Sequence, residues 1–465
     1  LAVIAAWPGD VVASYAAVNI INSYRLENDW DNISVWAKKI EDMKIGKAEE
    51  RAALQAEVKV FQLGAQFKEA EKAFDEERFL EAAQLFLVVV SKDPKNKVAD
   101  KALQNAALAY QKVHHFDSAA KVYERIATDP QYRDSPYVEG ALLQLAENAR
   151  KFYDFDRAIR SYDALLTRFP QSSQASYAAK TAARLIEVQG RTVEAAKRYE
   201  AFADRFPSDP AAGEAMFKAA RLQEELNNRV EALRLYQRFT RQSGTQAGLS
   251  AQVIEALSRS ADLHRVLGNA KEWEKAARQV IREFSARSLQ PDTPVAAFPA
   301  KAQFQLVEEK FKTYETIRLV GSLKEQGRQF QAKKKMLEEL ETEYAAVLPF
   351  KSMEWTGAAY FRLAQIHELF AKTLFAAQVP EMGQEEMDLY QTQLEDFAKQ
   401  YQDMAQERYA RLLSEARRLR MANDWTRKAL EALNKYRPQE YPLLKEDKRA
   451  VDFEVRTRWS LEESL

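Results

Sequence analysis

The sequence contains no cysteine, little glycine and proline, no net charge and no long apolar run. The missing cysteines exclude disulfide bridges, thiolate metal sites and a cysteine nucleophile. With 13 glycines and 14 prolines in 465 residues, the chain has few of the tight turns that an all-β protein requires. Because 69 basic residues balance 69 acidic residues, no general attraction to nucleic acid or anionic lipid is expected. The apolar burst at residues 85–90 is far short of the roughly 18 residues of a membrane span.

What the sequence does contain is enough apolar surface for a large core. Apolar residues make up 46% of the chain and aromatic residues 11%, which is unlike a disordered protein. The length suggests either two or three domains or one elongated array. The first residue is Leu1, so the sequence is interpreted as a fragment, and a removed export signal or a lipid anchor outside it stays open.

Internal repeats are the strongest pattern in the sequence. Five segments carry an alanine that is followed four residues later by an aromatic residue, at steps of 37, 39, 37 and 37 residues. These pairs are Ala82 and Phe86, Ala119 and Tyr123, Ala158 and Tyr162, Ala195 and Tyr199, and Ala232 and Tyr236. Another alanine lies twelve residues upstream of each pair, at Ala70, Ala107, Ala146, Ala183 and Ala220. We call these three recurring series of residues ladders. Because they recur at the same steps along the chain, they predict a repeated structural unit.

Each repeated unit is interpreted as two helices. Apolar residues at three- and four-residue spacing, such as Leu142, Leu145 and Ala149, are typical of amphipathic helices. The second helix ends at a proline such as Pro170, which cannot continue a helix. An alanine that faces an aromatic ring lets two helix backbones approach closely. Because one pair of helices cannot bury its own apolar face, neighbouring pairs are expected to stack.

The order of small and large residues in these units resembles the tetratricopeptide repeat. In that family, an aromatic residue lies three positions before the second-helix alanine. Three units of this sequence have an aromatic residue there, and two units do not. The aromatic residues are Phe79, Phe116 and Phe155, and the departures are Thr192 and Arg229. The resemblance implies an all-α fold, namely a right-handed superhelical tetratricopeptide-repeat (TPR) solenoid with a helical C-terminal region.

The length of the repeat indicates which members of the repeat family the sequence resembles most. The period is 37 residues rather than the family's usual period of about 34, and the extra residues follow the proline. With Pro136 and Pro170 in these turns, the units are similar to repeats of bacterial envelope proteins, including the outer-membrane assembly lipoprotein and the Tol-Pal accessory protein. More loosely, residues 355–442 are similar to the C-terminal part of deltaproteobacterial gliding-motility repeat proteins.

The pattern along the chain predicts four regions. Residues 1–58 are interpreted as an N-terminal helical cap or degenerate repeat, and residues 59–285 as a TPR solenoid of about six repeats. Three prolines at 291, 294 and 299 interrupt the helical pattern, so residues 286–299 are assigned to a Pro-rich linker. Residues 300–465 are expected to form a helical C-terminal region with degenerate repeats.

No arrangement of residues suggests catalysis, a cofactor or a metal site. His114 and His115 are adjacent, and adjacent side chains on a helix point about 100° apart, so the two cannot readily share one ion. His367 begins like a zinc-protease motif, but Ala371 stands where the second histidine is required. The acidic pairs lie on charged helix surfaces with Lys or Arg nearby, which is ordinary solvated pairing. The chain is therefore predicted to be no enzyme and to hold no cofactor or metal.

A binding surface for another protein is the remaining expectation. Tetratricopeptide repeats use positions 2, 5, 9 and 12 of their first helices for this purpose, and these positions are transferred with the first-helix alanine as position 8. The candidate groove residues are Phe67, Phe74, Lys101, Gln104, Gln111, Glu147, Arg150, Tyr177, Lys180, Arg184, Phe217, Arg221 and Glu224. The four aromatic members are hypothesised to be exposed anchors, with packing against the neighbouring repeat as the open alternative. Phe217 with Arg221 is the preferred pair.

The sequence therefore predicts a non-enzymatic scaffold or adaptor whose partners are other proteins, as peptide segments or helices of a multiprotein complex. No nucleic acid partner and no direct membrane span are expected. The resemblance implies a place in the cell envelope, in the periplasm or on the periplasmic face of the outer membrane, with a role in gliding motility or envelope assembly. Two alternatives stay open: a cytoplasmic peptide-binding adaptor or co-chaperone, and an enzyme with a site around Trp355, Tyr360 and His367.

Overall fold

The fold is all-α. The structure is a computed structural model that describes residues 1–443, so residues 444–465 of the predicted C-terminal region lie outside the described residues. Residues 1–443 contain twenty α-helices and four short 3₁₀ turns, and they contain no strand. The predicted all-α fold class is therefore confirmed. The helices group into two compact units, which we call unit 1, from Leu1 to Asn227, and unit 2, from Asn228 onwards.

Unit 1 is a series of helices in which neighbours along the chain pack on one another. Its helices are α1 (Ala2–Ala6), α2 (Val11–Leu26), α3 (Trp30–Asp42), α4 (Ala48–Asp75), α5 (Phe79–Lys92), α6 (Ala99–Lys112), α7 (Phe116–Thr128), α8 (Val138–Lys151), α9 (Phe155–Arg168), α10 (Ala175–Val188), α11 (Thr192–Arg205) and α12 (Ala212–Glu225). Helices α2 and α3 pack on α4 around Ile21, Ile33 and Val58. From α4 onwards, the first and second helices of the predicted repeats alternate.

The predicted residue ladders of unit 1 occupy the contacts between these helices, and the last pair of the ladders, Ala232 and Tyr236, belongs to unit 2. All five first-helix alanines and all five second-helix alanines are fully buried. The aromatic residues that follow the second-helix alanines are buried as well. Because an alanine takes up so little room, the backbones of adjacent helices approach closely, and the aromatic ring fills the remaining space. The predicted repeat pattern is therefore confirmed by the packing.

Arginine side chains tie each repeat of unit 1 to the one before it. Arg168, the last residue of α9, donates hydrogen bonds to the backbone oxygens of Ala127 at 2.7 Å and of Arg133 at 3.1 Å. Arg205, the last residue of α11, donates in the same way to the oxygens of Leu166 and Pro170, at 3.4 and 3.2 Å. Carbonyl groups at the end of a helix have no partner within that helix. Arg168 and Arg205, which each precede a Phe-Pro sequence, therefore donate hydrogen bonds to backbone carbonyl groups at the end of the preceding repeat.

Unit 2 begins with the continuation of the repeats and ends with longer helices. Its helices are α13 (Arg229–Ser243), α14 (Ser250–Val266), α15 (Ala270–Ala286), α16 (Ala297–Thr316), α17 (Leu323–Ala345), α18 (Met353–Phe375), α19 (Gln384–Arg418) and α20 (Asp424–Tyr436). A core of aromatic and aliphatic side chains, including Phe304, Tyr344 and Ile366, lies between α16, α17 and α18.

The prolines of the predicted linker lie around the start of α16. Pro294 begins a 3₁₀ turn, and Pro299 lies in the first turn of α16. A proline is tolerated there because the first turn of a helix needs no N–H from that residue. Helix α16 therefore starts within the stretch assigned to the linker. The predicted regions 1–58, 59–285, 286–299 and 300–465 stay predictions, and the division between the two units falls inside the second of them.

Candidate functional site

A cavity of about 860 Å³ opens along the first helices of successive repeats in unit 1. The end of α8, the length of α10 and the start of α12 form its walls. We call this cavity the basic groove. Its charged lining consists of Arg150, Lys151, Lys180, Arg184, Glu214 and Lys218.

One wall of the basic groove is organised by the carboxylate of Glu147 on α8. This carboxylate accepts hydrogen bonds from the hydroxyls of Tyr162 at 2.5 Å and Tyr177 at 2.8 Å, and from the guanidinium of Arg150 at 2.7 Å. Partial burial raises the pKa of Glu147, but the hydrogen bonds from Tyr162, Arg150 and Tyr177 outweigh it and hold the pKa below its ordinary value. Glu147 therefore stays ionised and fixes Arg150 and Tyr177 on the groove wall.

The next repeat has a similar arrangement around Glu187 of α10, which lies at position 12 of its helix whereas Glu147 lies at position 9. Glu187 accepts hydrogen bonds from the hydroxyl of Tyr199 at 2.5 Å and from Nζ of Lys218 at 3.1 Å. Nζ of Lys218 also lies 5.2 Å from the centre of the Tyr199 ring. Partial burial raises the pKa of Glu187, and these two hydrogen bonds outweigh that effect and lower it. The tyrosine that fills the helix interface thus also orients a carboxylate at the edge of the groove.

The basic groove carries an excess of positive charge. Arg150 and Lys218 are paired with the two carboxylates just described. Lys180 and Arg184 are exposed on α10, and their side chains form no salt bridge with any residue between 1 and 443. Glu214 is the one carboxylate among the described residues that line the groove. Unpaired cations in a concave surface attract acidic groups.

The structure brings five of the predicted groove residues together at this site. They are Glu147, Arg150, Tyr177, Lys180 and Arg184. They come from α8 and α10, the first helices of two successive repeats. The helical spacing of the sequence was sufficient to place them on one surface. Their role in binding a partner stays a prediction.

Two predicted anchors, Phe67 and Phe217, are buried, with only 5% and 6% of their surface exposed. The ring of Phe67 meets the ring of Phe86 edge-on at a centroid distance of 5.3 Å, and Nζ of Lys101 lies 5.0 Å from its centre. The hypothesis that these two rings are exposed is wrong. Burying a ring at the border of the helix interface removes apolar surface from water. Phe217 therefore does not form an exposed pair with Arg221.

The remaining predicted residues lie on first helices outside the basic groove. They are Phe74, Lys101, Gln104, Gln111, Arg221 and Glu224. Lys101 pairs with Glu71 at 3.1 Å. The side-chain oxygen of Gln111 accepts a hydrogen bond from the hydroxyl of Tyr123 at 3.0 Å, so Gln111 occupies the helix position that Glu187 takes two repeats later. These residues stay predictions for other parts of the surface.

Several lining residues were missed by the sequence prediction. Glu214 occupies position 2 of α12, and the rule that identified Tyr177 would have found it. Lys218 occupies position 6, which that rule does not include. Tyr153 and Phe155 lie at the turn between α8 and α9 and also line the groove. Phe155 was noted in the sequence as the aromatic residue before the second-helix alanine, and the signal for Tyr153 is an aromatic residue in a turn where polar residues or glycine are usual.

The three residues of the enzyme alternative lie in or against the packed core of unit 2. Trp355 and Tyr360 pack against this core. His367 is buried, and its Nε2 lies 2.8 Å from a carboxylate oxygen of Glu341, which Arg408 also contacts. Trp355 and Tyr360 thus contribute to packing, and His367 combines burial with a hydrogen-bond contact to Glu341.

Lys333 is a buried lysine in the same unit, with 1% of its surface exposed. Its Nζ donates hydrogen bonds to the backbone oxygens of Tyr314 and Ile317, both at 3.0 Å. Burial lowers the pKa of Lys333 to about 8. These oxygens belong to the end of α16, where carbonyl groups lack helical partners. Lys333 therefore caps the C-terminal end of that helix.

Between residues 1 and 443, no three His, Asp or Glu side chains are arranged to hold a metal ion. No helix in that part of the chain is long and apolar enough to cross a membrane. The sequence also has no cysteine that could supply a thiolate ligand.

Comparison with known proteins gives a family match over the repeats. Residues 61–279 match the model of the family described as soluble NSF attachment protein, SNAP. This stretch includes the alanine and aromatic ladders. No curated protein sequence matches the chain significantly.

The solved structures that resemble the chain include TPR proteins. The TPR-like repeats of a kinesin light chain from Podosopora anserina share 17% identity, covering 40% of this chain and 97% of that one, with a TM-score of 0.27. A tetratricopeptide repeat protein from Parabacteroides merdae shares 13% identity, covering 62% and 98%, with a TM-score of 0.27. The TPR2AB domain of yeast Sti1, in a complex with pHSP90, shares 14% identity, covering 67% and 98%, with a TM-score of 0.29.

Proposed function

We propose that the chain is a non-enzymatic interaction scaffold of the tetratricopeptide type, whose basic groove binds an acidic segment of a partner protein. The observation that carries this proposal is the groove itself, in which cations from three successive first helices converge. Lys180 and Arg184 have no salt-bridge partner among the described residues, and their charges act only at longer range on Asp209 and Glu187, whose pKa values they help to lower. The side chains of a partner's Asp and Glu residues would supply salt-bridge partners.

The walls of the groove favour binding because they are already ordered. Arg150 is held by Glu147, and Lys218 is held by Glu187. Side chains that are fixed before binding lose little conformational freedom when a partner arrives. A segment lying across α8, α10 and α12 would meet these fixed cations at its sides and the unpaired Lys180 and Arg184 at its centre.

Reversing the two unpaired charges tests this proposal. We expect the double variant Lys180→Glu and Arg184→Glu to bind the fluorescein-labelled peptide Asp-Glu-Asp-Trp-Asp-Glu-Asp at least about tenfold more weakly than the parent, or about 1.4 kcal/mol. The reason is that attraction to the peptide becomes repulsion. Fluorescence anisotropy at low and high salt measures the effect, and the difference should shrink at high salt because exposed charges are screened.

A control variant with the same change in net charge shows whether the position matters. Arg160 of α9 and Lys197 of α11 are exposed on second helices, away from the groove lining. The double variant Arg160→Glu and Lys197→Glu should bind nearly as well as the parent. Equal losses in both double variants, or a parent that binds the acidic peptide no better than its lysine counterpart, would contradict the proposal.

The cellular setting is a separate proposal that rests on the sequence resemblance. We propose that the scaffold works in the bacterial cell envelope, in the periplasm or on the periplasmic face of the outer membrane, in gliding motility or envelope assembly. The 37-residue period and the turns that follow the prolines support it. Fractionation of cells that produce the full-length natural protein is expected to recover it with envelope markers. Recovery with cytoplasmic markers would favour the cytoplasmic adaptor instead.

A further inference from the structure

The first helices of unit 1 all end in the same backbone conformation. The second residue after the last helical residue has a positive φ in each of the five repeats, at Glu77, His114, Tyr153, Gly190 and Asn227, with values between 59° and 72°. In the repeat that contains Tyr153, the N–H of Asp154 bonds to the oxygen of Ala149 at 2.9 Å, and the N–H of Tyr153 bonds to the oxygen of Arg150 at 3.2 Å. This motif closes a helix and requires the left-handed conformation.

Tyrosine is an unfavourable choice for this position. Glycine adopts a positive φ without cost and asparagine adopts it more readily than other residues, and these two residues occupy the position in the next two repeats. A bulky aromatic side chain raises the energy of the same conformation. Its burial in a core would offset this cost, but Tyr153 keeps 81% of its surface exposed. Most of the Tyr153 ring therefore lies outside the core, and its ring contact among the described residues is with Phe155 of the same turn.

The ring of Tyr153 belongs instead to the surface of the basic groove. Tyr153 and Phe155 line the cavity together with the cations of α8 and α10, and their ring centres are 5.9 Å apart. Val188, at the end of α10, lines the same cavity and is largely exposed. The turn between α8 and α9 thus provides an apolar surface beside the positive charges of Lys180 and Arg184.

We propose that Tyr153 is the aromatic anchor of the basic groove and holds an aromatic side chain of the acidic partner segment. This inference rests on the proposed function and adds to it the class of side chain that the partner presents. The charges of the groove call for acidic residues on either side of that side chain. Tyrosine is enriched among the residues that dominate binding energy, because its ring offers a large rigid contact area. The energetically poor backbone position is retained for contact with the partner.

The test uses the variant Tyr153→Asn, since asparagine suits the backbone conformation. The melting temperature of this variant should equal or exceed that of the parent. Its affinity for the peptide Asp-Glu-Asp-Trp-Asp-Glu-Asp should fall about tenfold, whereas its affinity for the same peptide with a central serine should stay unchanged. The variant Tyr153→Phe should keep the parent's affinity, because the ring and not the hydroxyl makes the contact.

A matched control changes the same position in another repeat. Glu77 is exposed and has the same φ, so Glu77→Asn should leave both affinities unchanged. If Tyr153→Asn binds the tryptophan peptide as tightly as the parent, while Lys180→Glu with Arg184→Glu loses both peptides, the anchor is refuted and the proposed function stands. A parent protein that binds neither peptide contradicts the proposed function and the anchor together.

Discussion

Replacing Glu308 by alanine is expected to lower the free energy of unfolding by about 3 kcal/mol. The carboxylate of Glu308 on α16 accepts two hydrogen bonds from Arg362 of α18, at 2.8 and 2.7 Å, and one from the hydroxyl of Tyr344 at 2.6 Å. The guanidinium lies 4.3 Å from the centre of the Phe311 ring. Without Glu308, the charge of Arg362 would stay in this apolar setting with no salt-bridge partner, and Glu315 would act on it only at longer range. The lower end of the usual range applies because both side chains keep about a fifth of their surface exposed.

Two further variants show whether the loss of stability comes from breaking the pair of Glu308 and Arg362 or from removing any one carboxylate. Glu309 is the neighbouring residue, and it pairs with Lys312 at the surface at 2.8 Å, so Glu309→Ala should cost less than about 1 kcal/mol. Replacing Glu308 and Arg362 together by leucine should be less destabilising than Glu308→Ala, because no unpaired charge remains. Urea denaturation followed by circular dichroism measures all three variants. Equal stabilities of Glu308→Ala and Glu309→Ala would show that the pair does not stabilise unit 2.

The repeated part of the fold could be predicted from one sequence because each contact recurs. A single alanine such as Ala183 says nothing about its surroundings, but five alanines in phase with five aromatic residues imply one shared environment. The full burial of these alanines agrees with that inference. The pair of Glu308 and Arg362 has no such signal, since its members are 54 residues apart and belong to no repeat.

The binding surface was predicted in part, and the errors have a physical cause. Position 5 of the first helix is occupied by Phe67 in one repeat and by Lys180 in another. The position lies at the border of the helix interface, so an aromatic ring turns inward and gains from burial, while a lysine extends its charged end into water. Helical spacing identifies the position, but the type of side chain determines whether it is buried in the helix interface or exposed to water.

Backbone conformation and contacts between repeats were beyond the reach of the sequence pattern. The positive φ of Tyr153 follows from the hydrogen bonds that close α8, and the sequence shows only an aromatic residue in a turn. The sequence shows Arg168 only as a residue just before Pro170, where a helix is predicted to end, whereas its guanidinium reaches backbone oxygens of the preceding repeat. Such contacts join residues about one repeat apart, and one sequence does not show which side chain bends toward which carbonyl.

Enlarging a first-helix alanine tests the packing on which the repeat depends. Ala146 and Ala183 have no exposed surface, so each of the variants Ala146→Leu and Ala183→Leu is expected to lower the free energy of unfolding by about 1–3 kcal/mol. The added carbon atoms must push apart helices that touch at this point. Ala201 lies on the exposed side of α11, and Ala201→Leu should change the free energy by no more than about 0.5 kcal/mol. Alanine and leucine are both good helix formers, so a difference measured by urea denaturation between the buried and exposed variants reports packing and not helix propensity. If the three variants unfolded at the same urea concentration, the alanine ladder would not be what lets successive helices approach.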